Sequence, residues 1–396
     1  MSVVSHGLFL LCAIGMVAVA IQHLALRRHL GRPQPRPRQR PPISILKPLC
    51  GVDDDLAQNL AVFCALDYPD YELVLGVRST ADAAYALAQA AVQRHPQRVR
   101  LVVQRGEPGL NPKVNQLITL VAAARHEILV VSDSNVVVAP DYLTSIAASF
   151  DDEGVGLVTH PVVGVGERSL GSVLDSLHLS GGIGPGMVAA ERVCGHAVVV
   201  GKSMALRRGD LARIGGFEEM RDLLAEDYLC GERIAALGKR VVVGGARVFN
   251  VSRHRSVSDF VARYARWSVI NRMAVGPLVF LGGALLNPVP MALLGLACAP
   301  ELPALLWTLA AVALRAALDG ESGLALRGHR YAVLHLLAVP LKDVLFLGCW
   351  VYGLTHDTVA WRGTRLRVLP GTWLERPEAP RAPAPIEAEG DLGQPG

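Results

Sequence analysis

The sequence predicts an α/β chain, with a mostly parallel sheet covered by helices on both faces and apolar membrane helices at both ends. Three observations lead there. Between residues 43 and 132, short and continuously apolar strands alternate with helical segments, the pattern of strands buried on both faces. From Gly7 to Leu26 runs an almost unbroken apolar stretch, long enough at about 1.5 Å per residue to cross a hydrocarbon core of roughly 30 Å. Three more apolar stretches fill the last third: Val275 to Cys298, Leu302 to Leu318, and Tyr331 to Thr355. With 51% hydrophobic residues, 19% charged residues and a mean hydropathy of +0.33, the 396-residue chain is not a purely soluble protein.

The first stretch has no Lys or Arg before it, and Arg27, Arg28, Arg32, Arg36, Arg38 and Arg40 after it. The positive-inside rule then puts the N-terminus outside and the following chain in the cytoplasm. A cleaved signal would carry its charge in front, so residues 1–27 read as an anchor. Arginine far outnumbers lysine and alanine is abundant, which points to a GC-rich bacterial genome and an inner-membrane protein of several passes. Residues 28–42 form a stiff, basic, proline-rich linker suited to lie along an anionic membrane face.

The α/β domain is expected over 43–272. Ile43 to Leu46 reads as a strand ending at Lys47-Pro48, and Leu56 to Leu66 as a helix with an acidic start at Asp53, Asp54 and Asp55. Glu72–Val77 is a strand, Ala81–Arg94 a helix and Val99–Val103 a strand. A helix finishes over Ile118–Arg125, and the strand Glu127–Ser132 stops at Asp133. Residues 154–220 are less regular, with Gly181 to Gly186 read as a flexible break and 201–206 as a strand. Tyr228–Leu237 is a helix, Val241–Val243 a strand and Ser258–Arg272 an amphipathic helix. Membrane helices follow over 273–356. Pro277, Pro288, Pro290 and the pair Lys342-Asp343 mark at least one of them as broken, re-entrant or interfacial. Residues 357–376 form a cytoplasmic segment, and 377–396, rich in Pro, Ala, Glu and Gly, a disordered tail. Seven cysteines without a CxxC pair argue against a disulfide framework or a zinc site. The net charge of +4 is modest, and no nucleic-acid partner is expected.

In such sheets ligands bind at the carboxyl ends of the strands. That gathers Lys47, the loop from Arg78 to Asp82, and Asp133 around one nucleotide-sized crevice. Asp133 is placed to bind a divalent ion bridging phosphate oxygens, or to cap a turn. The loop from Gly106 to Lys113 ends with a lysine at a helix start, suited to a phosphate, although an ordinary proline turn has the same composition. Glu226 and Asp227 are adjacent acids between apolar neighbours, so one can serve as a proton acceptor. Arg263 and Arg266, three apart on a helix beside Trp267, suit a phosphate-bearing leaving group. Gly201-Lys-Ser203 is not a phosphate loop, because the upstream glycine is missing.

The stretches Ile45–Asp53, Leu66-Asp-Tyr-Pro69, Asn111-Pro-Lys-Val-Asn115, Ser132-Asp-Ser134, Ala225-Glu-Asp-Tyr228, Arg263-Tyr-Ala-Arg-Trp267 and Trp361-Arg-Gly-Thr-Arg365 occur in this order. Over about residues 42–370 the chain thereby resembles the ceramide glucosyltransferases and their relatives in glycosyltransferase family 21. The resemblance implies a GT-A fold, Rossmann-like, and inverting transfer of a sugar, glucose first, from a UDP-sugar donor to a hydroxyl of a membrane lipid acceptor. Ceramide is the implied acceptor, and a hopanoid-like lipid with UDP-N-acetylglucosamine the alternative. It also implies a divalent cation, Mn²⁺ or Mg²⁺, at Asp133. Asp227 matches the family's base with Glu226 beside it, Asp133 its donor- and metal-binding aspartate, and Arg266-Trp267 its closing motif with Arg263 at the variable first place; Lys47, Lys113 and Asp82, from the reading of the crevice, complete the expected donor-binding set. One departure stands out: Val77-Arg78-Ser79 occupies the place of the family's first aspartate, with Asp82 three residues on. A chain that binds without catalysing therefore stays open, as does Asn135 leaving fewer charges for a metal. The lipid is expected to enter through 160–201 and the apolar helices after Trp267, with Leu177 and Val188 on its path.

Overall fold

The computed structural model describes residues 2–361 and 364–377. The expected tail beyond 377, and Arg362-Gly363 of the last motif, lie outside the described residues. Helix α1 (Val3–Leu30) leads into β1 (Ile43–Pro48), α2 (Leu56–Cys64), β2 (Tyr71–Val77), α3 (Tyr85–Arg94), β3 (Val99–Val103), α4 (Pro112–Ala123) and β4 (Ile128–Ser132). Strands β1, β2 and β4 are buried along their whole length, as continuously apolar runs require when helices cover both faces. Asn111 caps α4 through its Oδ1, which accepts from the amides of Lys113 (2.9 Å) and Val114 (3.1 Å), with Pro112 in the first turn.

The middle of the chain runs through β5 (Val136–Val138), α5 (Tyr142–Phe150), β6 (Val155–Thr159), β7 (Val162–Val165), α6 (Leu170–His178), a π turn (Leu179–Ile183), α7 (Gly184–Cys194), β8 (Ser203–Arg207) and α8 (Arg208–Arg213). Then come α9 (Glu226–Ala236), β9 (Arg240–Val243), β10 (Val248–Val251) and α10 (Val257–Val275). Seven strands pair in the order β3-β2-β1-β4-β8-β6-β9, parallel except where β8 runs against β4 and β6. A second sheet, β5-β10-β7, lies apart from it.

The region from 154 to 220 is more ordered than its sequence suggests. Gly181 to Gly186 is not a flexible break: it carries the π turn into α7 without interruption. Two of the four glycines, Gly181 and Gly184, serve close approach. A Cβ on Gly181 would lie 2.4 Å from Asp319 Oδ1, and one on Gly184 2.7 Å from the Val162 carbonyl oxygen. Leu177 and Val188 are fully buried in separate apolar clusters, so neither lines an open path for a lipid.

The last third comprises α11 (Pro277–Leu285), α12 (Pro288–Cys298), α13 (Leu302–Arg327), α14 (Val333–Leu336) and α15 (Val339–Thr355), followed by the sheet β11 (Thr358–Trp361), β12 (Thr364–Val368) and β13 (Leu374–Glu375). By length and composition α1, α13 and the stretch 333–355 could each cross a membrane. The pair α11 and α12, bent by 68° at its break, would make a fourth. The contacts of α15 place both its ends on the α/β unit. Just before it, Tyr331 donates to the Ser176 carbonyl at 3.0 Å; just after it, the His356 carbonyl accepts from Arg272 at 2.9 Å. Beyond it Leu374 donates its amide to the Asp222 carbonyl at 2.7 Å. These contacts hold the stretch 331–374 against the α/β unit, with α15 packed beside α10.

Candidate active site

At the carboxyl edge of the main sheet, β4 delivers Asp133 to a cluster built from three further segments. Lys113, in the first turn of α4, sits 3.2 Å from Asp133 Oδ1 and 2.9 Å from Glu226 Oε1. Lys202, immediately before β8, sits 2.9 Å from Asp133 Oδ2 and donates to Asn135 Oδ1 at 2.7 Å. Glu226 and Asp227 open α9, where the unpaired amides of a helix start favour carboxylates. Asn111 ties the two helix starts together, its amide donating to the Leu223 carbonyl at 2.6 Å and to Glu226 Oε2 at 3.3 Å.

The two acids of α9 differ in setting. Glu226 is buried beneath Lys113. Asp227 is partly exposed and accepts amide hydrogens from Gly201, at Oδ2, and Tyr228, at Oδ1. Gly201 leaves room for this pair: a Cβ there would lie 2.6 Å from Lys113 Nζ and 2.8 Å from Asp227 Oδ2 and would make these side chains shift. Burial pushes the Glu226 carboxyl up, with Lys113 opposing and Asp227 adding to the rise. Burial likewise lowers Lys202, against the pull of Asp133. For Asp133 and Lys113 burial also disfavours the charged form, but their partners prevail. The two ammoniums hold Asp133 well below the usual carboxylate range, and the three acids hold Lys113 well above the usual lysine value.

Other residues singled out in the sequence stand elsewhere. Lys47 is completely buried under the crevice floor, its ammonium donating to the Asp133 carbonyl (2.6 Å) and Ser132 Oγ (3.2 Å) and lying 3.7 Å from the Phe63 ring centre. Burial lowers its pKa to about 7. It shapes the turn that carries Asp133 and offers no surface to a donor. Asp82 accepts through Oδ1 from the amides of Gly51 (2.9 Å) and Ala84 (2.8 Å), so it braces the loop after β1 and the approach to α3. Ser79 is exposed beside Arg78, which pairs with Glu107.

On α10, Arg263 is buried and donates to both oxygens of Asp175 at 3.1 and 3.2 Å, while the Tyr264 hydroxyl donates to Asp175 Oδ1 at 2.8 Å. Its guanidinium also lies 5.0 Å from the Trp267 ring centre. This arginine is committed to the protein interior. Arg266 and Trp267 are partly exposed, and Trp267 packs against the cluster of Val162, Leu179 and Met187.

Sequence reasoning missed Lys202 and Asp175. Lys202 stood within Gly201-Lys-Ser, set aside as an incomplete phosphate loop; its adjacency to a strand start was the available signal. Asp175 lies 88 residues from Arg263 and carries no local signal.

The expected divalent ion was tested against this geometry. Both Asp133 oxygens carry ammonium partners, Asn135 is engaged by Lys202, and no group of three His, Cys, Asp or Glu side chains among the described residues could hold a metal. The protein's own donor set does not fit a resident cation.

A mostly parallel sheet with helices on both faces and its crevice at the carboxyl ends of the strands is the GT-A-like fold. A solved mannosyltransferase from Pyrobaculum calidifontis, in complex with GDP-Man and Mn²⁺, shares the fold with a TM-score of 0.56 at 21% identity, over 89% of this chain and 99% of that one. The chain belongs to glycosyl transferase family 21, whose model matches residues 7–374. It is 26% identical over 239 residues to ceramide glucosyltransferase 1 of Caenorhabditis elegans, covering 60% of this chain and 51% of the relative. It is 27% identical over 244 residues to ceramide glucosyltransferase 3 of the same organism, covering 61% and 52%. These matches span about half the length of the curated relatives.

Proposed function

We propose that the chain transfers a hexose, glucose first, from a UDP-sugar to a hydroxyl of a membrane lipid of the ceramide class, with inversion at the anomeric carbon. The observation that carries this reading is the partly exposed Asp227 carboxylate, fixed by two backbone amides beside Lys113, in a domain whose face is lined by membrane helices. Asp227 takes the proton of the lipid hydroxyl as its oxygen bonds to the anomeric carbon. The bond to UDP breaks from the opposite face, and its electron pair leaves with the phosphate. Lys113 and Lys202 are the cations available to that developing charge, in a site whose partial burial strengthens them. Glu226, beneath Lys113, holds that lysine in place. The similarity to ceramide glucosyltransferases supports the donor and acceptor classes.

The test is UDP release by the purified chain given UDP-glucose or UDP-N-acetylglucosamine, each with ceramide, a hopanoid polyol or no lipid, with and without Mn²⁺. Release that requires one sugar, one lipid and Asp227 supports transfer. Binding of UDP-sugar with no turnover in any combination would refute it in favour of a binding protein marked by Ser79.

A further inference from the structure

Where the chain bends between α11 and α12, those helices, α1, α13, α15 and the π turn enclose a cavity of about 220 Å³. Phe346 and Trp350 form part of an apolar wall; His178, Asn287, Arg315 and Asp343 face them. Behind Arg315 and Asp343 is a closed ring of charge. Arg315 pairs with Asp343 (3.1 Å) and Asp319 (3.2 Å), and Lys342 pairs with Asp319 and Asp343 (2.8 Å each). All four side chains are buried among helices otherwise apolar. Burying ions costs several kcal/mol each before pairing, and ionisable groups at such depth mark functional sites.

A ring that only stapled α13 to α15 would leave nothing over. Here polar atoms remain. Among the described residues His178 Nε2 and Trp350 Nε1 have no hydrogen-bond partner, although both atoms are buried. His178 is only 5% exposed and stands 4.2 Å from the Phe346 ring and 4.3 Å from the Tyr264 ring. The wall also runs on toward the crevice. Ile183 lines the cavity and, like Trp267 and Val200, packs against the buried cluster of Val162, Leu179 and Met187; the residue after Val200, Gly201, donates its amide to Asp227.

We propose that this cavity seats the polar neck of the acceptor, a neutral membrane lipid with further hydroxyl or amide groups close to the one that receives the sugar. The proposal rests on the reading of the crevice as a lipid glycosyltransferase site. The ring holds two cations and two anions, so it attracts neither sign and favours hydrogen-bonding groups without charge. The volume lies below the roughly 300 Å³ at which pockets begin to enclose whole drug-sized ligands. It holds a polar neck and leaves the tails in the bilayer.

Gly182 lines the cavity, and no atom lies within 4 Å of where its Cβ would be. Gly182→Leu therefore starts its side chain into open space and narrows the cavity. Gly348→Leu, equally uncrowded but exposed on α15 outside the cavity, is the control. The full chain in nanodiscs is assayed for transfer against lipid concentration, for slow donor hydrolysis without lipid, and for labelling by photoreactive ceramide and photoreactive phosphatidylglycerol. Gly182→Leu is expected to raise the acceptor KM at least tenfold and to abolish labelling of 178–183 and 343–350 by ceramide, with hydrolysis and the control unchanged. Trp350→Phe, which removes one donor and little volume, is expected to raise KM three- to tenfold. An unchanged acceptor KM in Gly182→Leu, or equal labelling by the anionic lipid, overturns the seat while leaving the transferase reading intact. Absence of lipid transfer by the unsubstituted chain overturns both.

Discussion

Asp227→Asn separates the base from everything else in the crevice. Asparagine keeps an acceptor oxygen for one of the two amides that fix Asp227, from Gly201 and Tyr228, so the backbone around α9 should hold. The loss of one charge-assisted bond costs about 1–2 kcal/mol of stability. Loss of general-base catalysis is worth roughly 10²- to 10⁴-fold in kcat, or about 3–5.5 kcal/mol. Donor binding should move the other way. The cluster of Lys113 and Lys202 with Asp133, Glu226 and Asp227 carries one net negative charge, and the substitution removes it. For a phosphate charge roughly 8 Å away at an effective dielectric of about 20, relief of that repulsion is worth about 2 kcal/mol before salt screening. Isothermal titration should therefore show UDP bound equally well or up to about tenfold more tightly, while single-turnover transfer falls at least a hundredfold. A variant that keeps kcat within threefold, or loses donor affinity together with kcat, would refute the assignment.

Three other outcomes follow from the same cluster. Gly201→Ala should lower kcat about 10- to 100-fold with little change in thermal stability, because the new methyl pushes Lys113 and Asp227 apart; equal turnover would show that their spacing is not critical. Glu226→Gln removes a group whose folded pKa is raised. Its stabilising contribution is complete below the ordinary glutamate value and is lost as pH rises through the folded one. The melting temperature of the variant relative to the parent should accordingly improve as pH is raised from 4.5 to 7.5, and a gap that widens would contradict the burial assigned to Glu226. Finally, paramagnetic resonance of free Mn²⁺ should detect no stoichiometric site below about 1 mM ion without nucleotide, since both Asp133 oxygens are engaged. Tight binding to the donor-free protein would show that the lysines yield to a resident ion.

The alternation from Ile43 to Ser132 could be read because each strand there is buried on both faces, so composition and position coincide. The acids at strand and helix ends were legible for a related reason: Asp133 and Asp227 sit where periodicity stops. Pairing partners were not. Arg263 reads from the sequence as a phosphate ligand, but its Nη1 donates to both oxygens of Asp175, which lies in a helix without any distinguishing pattern. Lys47 looked like a crevice residue, but a lysine near a strand end can point through the sheet, and this one lies over Phe63. Gly181 to Gly186 misled because glycine signals both freedom and close packing, and the sequence does not say which.

The packing of α15 beside α10, which carries Arg263 and Trp267, has a consequence for the proposed lipid transfer. The segments flanking α15 are tied to the α/β unit by Tyr331 and His356. If the crevice acts on a membrane lipid as proposed, that fastening would hold it at a set height over the bilayer, so that it would reach hydroxyls carried at one depth and pass over identical groups that ride higher or lower.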